Sequence, residues 1–141
     1  KSLQLEYWNY LRDYFNQKTT FLSLRTPRAQ HWYSIAVGKS KFNISLTVNT
    51  VHNRLGCELY MRGEKAKDNF SQLKNDKQSI ENEIGTSLDW QELPDGQDSR
   101  IIIYRDGDIN NKDSWDETCE WFKKYAELFH KTFNDRIKKL K

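Results

Sequence analysis

The sequence has few cysteines and no long apolar run, and each shortage argues against a class of protein. Its two cysteines, Cys57 and Cys119, lie far apart without a C-x-x-C partner, which favours buried thiols over a disulfide, a metal site or a reactive nucleophile. No apolar run approaches the roughly 18 residues that span a bilayer, and the N-terminus has no signal-peptide pattern. We therefore expect a cytoplasmic protein with no membrane partner.

Acidic residues are absent from one long stretch of the chain. Between Tyr14 and Cys57 there is no Asp or Glu, and the local charge of +6 comes from Lys18, Arg25, Arg28, Lys39, Lys41 and Arg54. Residues 81–120 carry twelve acidic and three basic residues, a net charge of −9, while the whole chain sums to +3. A positive field on one part of a fold attracts polyanions or acidic partners even when the net charge is small.

Length and composition fit one domain that covers residues 1–141. A chain of this size buries a core without a metal or a disulfide, and a 13% aromatic content argues against disorder. Because the chain begins at Lys1 and a helical pattern starts almost at once, we expect it to be the C-terminal part of a longer protein.

Apolar residues at three- and four-residue steps predict helices at both ends of the chain, over residues 2–16 and 115–140. A third helix is expected over residues 65–84, with Gly85 ending it in the left-handed conformation. At the start of the last helix we expect Ser114 to act as the N-cap and Glu117 to complete a capping box.

Alternating apolar and polar residues predict strands between these helices. We expect an antiparallel meander of three strands at residues 31–37, 42–49 and 55–62, and a second hairpin of strands at 88–90 and 100–104. The predicted fold class is therefore α+β, a single domain in the order α-β-β-β-α-β-β-α, with a mainly antiparallel sheet covered by helices.

A set of aromatic and charged residues spread over nearly the whole chain resembles one bacterial domain family. The residues are Tyr7-Trp8, Trp32, Glu58-Leu59-Tyr60-Met61, Phe70, Leu73, Glu81-Asn82-Glu83-Ile84-Gly85, Leu88-Asp89-Trp90, Ser99-Arg100-Ile101, Trp115 and Trp121. The family is an uncharacterised domain of unknown function, often the C-terminal domain of proteins that carry a restriction-endonuclease-like PD-(D/E)XK nuclease domain. The resemblance implies an upstream nuclease domain as a partner in the same polypeptide, and it supplies no catalytic residues. An ion pair between Arg100 and a buried carboxylate is expected to be structural.

No motif in the chain supports catalysis or a cofactor. The order of one helix, three strands, a helix and a strand also occurs in PD-(D/E)XK nucleases, but the second strand offers Asn43, Ser45 and Thr47 where a Mg²⁺ site needs a carboxylate. Residues 106–117 have the spacing of a calcium loop, yet Asn111 replaces the turn glycine, and a strand-to-helix connection explains them without metal. We assign no catalytic residue, no metal and no cofactor, and we lean towards a protein that is not an enzyme.

The candidate binding residues come from the acid-free stretch. Cations from its loop and hairpin are suited to phosphates, and an aromatic ring beside them is suited to stacking on a base. The residues that we predict to contact nucleic acid or another partner are Arg25, Arg28, Trp32, Lys39, Lys41 and Arg54.

The preferred hypothesis is a non-enzymatic accessory or recognition domain of a nuclease-associated protein, with nucleic acid as its ligand. One alternative is a protein-interaction or oligomerisation module that ignores nucleic acid, which a mass measurement in solution would reveal. The second alternative is a divergent metal-dependent nuclease. Composition and periodicity leave the oligomeric state open.

Overall fold

Four α-helices and five strands form the part of the chain that a computed structural model describes, residues 2–141. In chain order they are α1 (Ser2–Gln17), β1 (Trp32–Ala36), β2 (Phe42–Asn49), β3 (Arg54–Met61), α2 (Ala66–Lys74), α3 (Lys77–Ile84), β4 (Asp89–Gln91), β5 (Ser99–Asp106), a 3₁₀ turn (Lys112–Ser114) and α4 (Trp115–Lys138). The predicted α+β class and the order of strands are confirmed.

The five strands form one sheet in the order β1-β2-β3-β5-β4, and every neighbouring pair is antiparallel. Strands β1 to β3 are the predicted meander, and β4 with β5 is the predicted hairpin. The hairpin joins the meander through β5, which pairs along its whole length with β3. The central strand β3 therefore has hydrogen-bonded partners on both sides.

One face of the sheet is the core. Successive strand residues point to opposite faces, so most apolar positions of β1, β2, β3 and β5 lie on the face that α1 and α4 cover, and Ile102 of β5 is a buried exception on the other face. Helix α4 buries a stripe of aromatic residues there, among them Phe122, Phe129 and Phe133, and α1 adds Trp8 and Phe15. The opposite face carries the polar positions, and we call it the open face.

The predicted helix over residues 65–84 is wrong in one respect, because the structure has two helices there. The chain turns at Asn75 and Asp76, where the amide of Asp76 donates to Leu73 O and the amide of Ile80 restarts the helical ladder from Asp76 O. Leu73 and Ile80 are both buried and keep a seven-residue spacing, so the apolar pattern gives no sign of the break. Gly85 ends the second helix at φ 93°, as predicted.

The predicted N-cap is also wrong. The Ser114 hydroxyl donates to the carbonyl of Asn111 at 2.7 Å, and it caps no amide of α4. Glu117 pairs with Arg105 instead of closing a capping box. Residues 112–114 already form a 3₁₀ turn that leads straight into α4, so the Ser114 backbone is helical and its side chain is directed back along the turn.

Candidate functional site

The open face presents three rows of side chains that run across the sheet, as the strand register requires. The first row is Trp32, Thr47, Gly56 and Tyr104; the second is Ser34, Ser45, Glu58 and Ile102; the third is Ala36, Asn43, Tyr60 and Arg100. The positions contributed by β1 and β2 are small, apart from Trp32, whereas β3 and β5 contribute several large ones. The small residues therefore form the floor of a groove.

The groove has a volume of about 850 Å³, which falls within the range of ligand sites in proteins. Four cationic side chains line it, namely Arg25, Lys39, Arg62 and Arg100. Glu58 is the single carboxylate among the lining residues in the described part of the chain. The lining charges sum to +3, since four cations face one anion, and the groove is therefore electropositive.

Arg25 reaches the groove because the loop between α1 and β1 is fastened to the fold. The Tyr33 hydroxyl donates to Arg25 O at 2.6 Å, which ties this part of the loop to β1. Leu22 is buried, and the Thr20 hydroxyl donates to Glu127 on α4 at 2.8 Å. The long loop thus has a defined path in spite of having no regular secondary structure.

Glu58 and Arg100 form an ion pair in the groove. Arg100 Nη1 lies 3.1 Å from Glu58 Oε1, and Arg100 Nε donates to Gln91 Oε1 at 2.6 Å. Glu58 is only 4% exposed. Burial raises the pKa of the Glu58 carboxyl above its ordinary value, and the adjacent guanidinium opposes that rise. The expectation of an Arg100 pair with a buried carboxylate is confirmed.

Tyr60 stands beside this pair in the third row and keeps its proton. Its hydroxyl donates to Asp98 Oδ2 at 2.7 Å. Burial, together with the hydrogen bond to the Asp98 carboxylate, raises the pKa of Tyr60 to about 12. The Tyr60 ring is therefore a fixed and neutral part of the groove.

The structure brings together three of the six predicted binding residues. Arg25, Trp32 and Lys39 line the groove itself. Lys39 also borders a neighbouring depression of about 600 Å³, which Lys41 lines as well. Arg54 lines another depression of about 370 Å³.

The remaining predicted residue, Arg28, does not line the groove. The depression at Arg54 is not isolated from the groove, because both are lined by His31, Thr47 and Arg100. Five of the six predicted residues thus line the groove or one of the two depressions, and Arg28 lines none of the three.

None of the five predicted cations forms an ion pair with a carboxylate of residues 2–141. Lys39 Nζ donates to the carbonyl of Ile137 at 3.0 Å, near the C-terminal end of α4. The Arg54 guanidinium lies 3.9 Å from the centroid of the Tyr104 ring. These contacts position the two side chains and leave their charge without a neutralising partner.

Sequence reasoning missed two cations of the groove, Arg62 and Arg100. Both lie outside the acid-free stretch from which the candidate binding residues were chosen. The signal was nevertheless present for Arg62, because the alternation of Glu58, Tyr60 and Arg62 places all three on one face of a strand. Arg100 lies on β5, and the sequence alone does not show that β5 pairs with β3.

Metal ligands do not cluster in the described part of the chain, where no group of three or more His, Cys, Asp or Glu is placed to hold an ion. In the segment with calcium-loop spacing, Asp108 Oδ1 accepts hydrogen bonds from the amide and the side chain of Asn110. Cys57 and Cys119 are free and buried, as predicted, and burial raises the pKa of both thiols. Across residues 2–141, no helix is long and apolar enough to cross a membrane.

Comparison with known proteins gives a family and no activity. Neither a search of curated proteins nor a search of solved structures found a match. The sequence model of one family, described as a domain of unknown function (DUF4268), matches residues 3–137 and so includes every residue of the groove. The chain therefore belongs to the DUF4268 family.

Proposed function

We propose that this domain is a non-enzymatic recognition module that binds nucleic acid through the groove of the open face. The observation that carries the proposal is the composition of that groove, in which four cations, one paired carboxylate and an exposed tryptophan surround a floor of small residues. Electropositive surfaces of this kind bind phosphates, and aromatic rings on a sheet face stack on unpaired bases.

The cations are spread around the groove in a way that suits a chain of phosphates better than a single anion. Arg25 comes from the loop before β1, Lys39 from the β1–β2 turn, and Arg62 is the residue that follows β3. Arg54 extends the series towards the neighbouring depression. A backbone with regularly spaced charges would contact several of these side chains at once.

Trp32 supplies the aromatic surface. It is 38% exposed, which is high for a side chain of this size, and the neighbouring His31 ring contacts it edge to face at 4.8 Å between centroids. Both residues line the groove. Stacking of one base on an aromatic ring is worth about 1–3 kcal/mol.

We further propose that the domain serves a nuclease-associated protein and holds nucleic acid for a partner nuclease domain. This part rests on the resemblance described above and on the electropositive groove. In this proposal the partner domain cleaves and this domain only binds. That role suits a chain whose groove carboxylate, Glu58, is already paired with Arg100. A divergent metal-dependent nuclease would need its carboxylates close together, and the two candidates here would be Glu58 and Asp106. Glu58 lies opposite Ile102, four residues before Asp106 on β5, so the two carboxylates are separated by roughly 13 Å along the strands.

Fluorescence anisotropy with labelled 12-nucleotide single strands and 12-base-pair duplexes tests the proposal. We expect binding at 50 mM salt that weakens steeply by 200 mM, because counterions return to the phosphates as salt rises. Absence of binding at low salt would refute the proposal. Self-association of the free protein, measured by sedimentation without any binding of DNA, would favour the interaction module instead.

The double variant R25Q/R62Q tests whether the groove is the binding surface. It removes two cations from the groove, so the slope of log affinity against log salt should become shallower by about 1.4 for a single strand. The matched control is K77Q/K124Q, with the same change of charge at exposed positions on α3 and α4. Equal losses in both variants would show that only net charge matters, and the groove assignment would fail.

A further inference from the structure

The ion pair in the groove uses only part of its hydrogen-bonding capacity. Glu58 Oε1 accepts from Arg100 Nη1 at 3.1 Å, and no hydrogen bond from residues 2–141 reaches the second oxygen, Oε2. Yet within those residues no buried side-chain nitrogen or oxygen lacks a partner. Oε2 therefore keeps some access to solvent, although its residue is only 4% exposed, and the groove that Glu58 lines is where this access lies.

The guanidinium of Arg100 also uses only part of its hydrogen-bonding capacity. Its Nε donates to Gln91 and its Nη1 to Glu58, while Nη2 meets no acceptor within residues 2–141. A purely structural arginine–carboxylate pair is often bidentate, with two guanidinium nitrogens donating parallel hydrogen bonds to the two carboxylate oxygens. Here Gln91 holds one side of the guanidinium, so one donor nitrogen of Arg100 and one acceptor oxygen of Glu58 remain available.

The floor of the groove beside the pair is suited to a flat ring. Ser34, Ala36, Ser45 and Thr47 are small side chains on β2, the neighbour of β3, and on β1 beyond it, and all of them line the groove. The Tyr60 ring, fixed by its hydrogen bond to Asp98, lies in the row next to Glu58. A planar ligand on this floor would present its polar edge to Glu58 and Arg100.

We propose, building on the proposed function, that Glu58 and Arg100 read the edge of an unpaired base that carries an exocyclic amino group beside a ring nitrogen. In cytosine the N4 amino group would donate to Glu58 Oε2, and N3 would accept from Arg100 Nη2. Thymine and uracil place a carbonyl oxygen where the amino group would be and an N–H where the acceptor would be. The carboxylate therefore selects against both of them.

The base has to be unpaired, because Watson–Crick pairing already occupies this edge. Adenine carries the same donor and acceptor, so the inference is a selection against thymine and uracil. The comparison of cytosine with thymine is the sharpest test, since ring size and backbone charge stay constant. One wrong base at a good contact costs about tenfold or more in affinity.

The test measures affinity for labelled dC12 and dT12 at pH 7.5 and 100 mM salt, where cytosine strands do not pair with one another. We expect dC12 to bind the unmodified protein at least tenfold more tightly than dT12. Equal affinities would overturn the inference and leave the proposed function standing. Failure of both oligonucleotides to bind, even at 50 mM salt, would overturn both.

The variant E58Q tests the role of the carboxylate. Glutamine keeps the shape and one oxygen for Arg100, but it replaces an acceptor oxygen with an amino donor that suits the O4 atom of thymine. The preference for dC12 should fall to within about twofold. The matched control is E64Q, which makes the same change of charge in the adjoining depression. It should strengthen binding of both oligonucleotides equally and keep their ratio.

A preference for dC12 that survives in E58Q would refute the assignment to Glu58. Circular dichroism shows whether E58Q is folded. If it is not, R100K serves instead, because lysine keeps the charge but offers no fork of donors to hold both the carboxylate and a base. R100K should then reduce the ratio of the two affinities, and an unchanged ratio would count against the proposal.

Discussion

At the scale of single residues, the ion pair of Glu58 and Arg100 is the main electrostatic feature of the open face. A carboxylate that is 4% exposed would be costly without a cation, and Arg100 is the cation that the neighbouring strand provides. Even with that partner, burial keeps the pKa of Glu58 raised. The free energy of unfolding should consequently depend on pH through the Glu58 carboxyl.

We expect R100Q to destabilise the protein at pH 7 by about 1–3 kcal/mol, because the variant leaves a buried carboxylate with no cation. A carboxyl whose folded pKa is raised binds its proton more readily when folded, so its burial cost grows as pH rises from the unfolded pKa to the folded pKa and is absent below both. Urea unfolding should thus show a smaller loss at pH 5 than at pH 7.

The control for this measurement is R105Q. Arg105 lies on the same strand and pairs with Glu117, whose side chain is 71% exposed. A pair of this kind contributes about 1 kcal/mol or less. The loss in the free energy of unfolding should be small in R105Q. It should be similar at pH 5 and pH 7, because this variant leaves Glu58 paired with Arg100. If R100Q loses equal stability at both pH values, the buried carboxylate is not its cause.

At the scale of elements, α1 is held to α4 by hydroxyl groups as well as by packing. The hydroxyls of Tyr7 and Thr118 lie 2.7 Å apart in the core, and Thr118 donates its own proton to Trp115 O. Tyr7 is therefore the donor in the bond between them. Tyr14 makes a comparable bond to Glu120 at 2.6 Å, but at the surface.

We expect Y7F to cost about 1 kcal/mol in the free energy of unfolding, because it leaves the buried Thr118 oxygen without a donor. The matched control is Y10F on the same helix, where the tyrosine hydroxyl binds Asp116 at the surface and water replaces the lost partner. That variant should change stability by less than about 0.5 kcal/mol. Equal effects in the two variants would contradict the buried bond as the cause.

The elements themselves were largely predictable from the chain. The strand over residues 42–49 has the predicted bounds because its alternation is regular, and Gly85 ends a helix where its conformational freedom suggested. The break at Asp76 was not predictable, since Arg136 on α4 contacts both Asp76 and Glu83 and so joins α3 to a helix some 60 residues later in the sequence. No local pattern reports a contact of that range.

At the scale of the whole molecule, the position of β5 between β3 and β4 organises both the core and the groove. The central strand β3 pairs with β2 on one side and β5 on the other, while β1 and the three-residue β4 are edges. An edge strand opens without breaking the rest of the sheet. Stability should therefore decrease from the centre of the sheet to its edges.

Hydrogen–deuterium exchange should show this gradient directly. We expect the slowest amide exchange in β3, at rates set by global unfolding, and much faster exchange in β4, whose short ladder opens locally. Strand β1 should be intermediate, because Tyr33 and Ile35 anchor it in the core. If β4 exchanges as slowly as β3, the hairpin unfolds together with the centre and the assigned hierarchy is wrong.

The sequence by itself determined the α+β class, the helices at both ends, the alternation that gives each strand one apolar face, and the fact that positive charge is concentrated between Tyr14 and Cys57. These properties depend on residues within a few positions of one another. Only the tertiary structure decided that β5 would lie beside β3. That pairing brings Arg100 to Glu58 across 42 positions, and the anchored loop brings Arg25 to the same groove. The reason is physical, because the pairing of distant strands is set by burial of the whole apolar face, to which every element contributes and which no short stretch specifies alone.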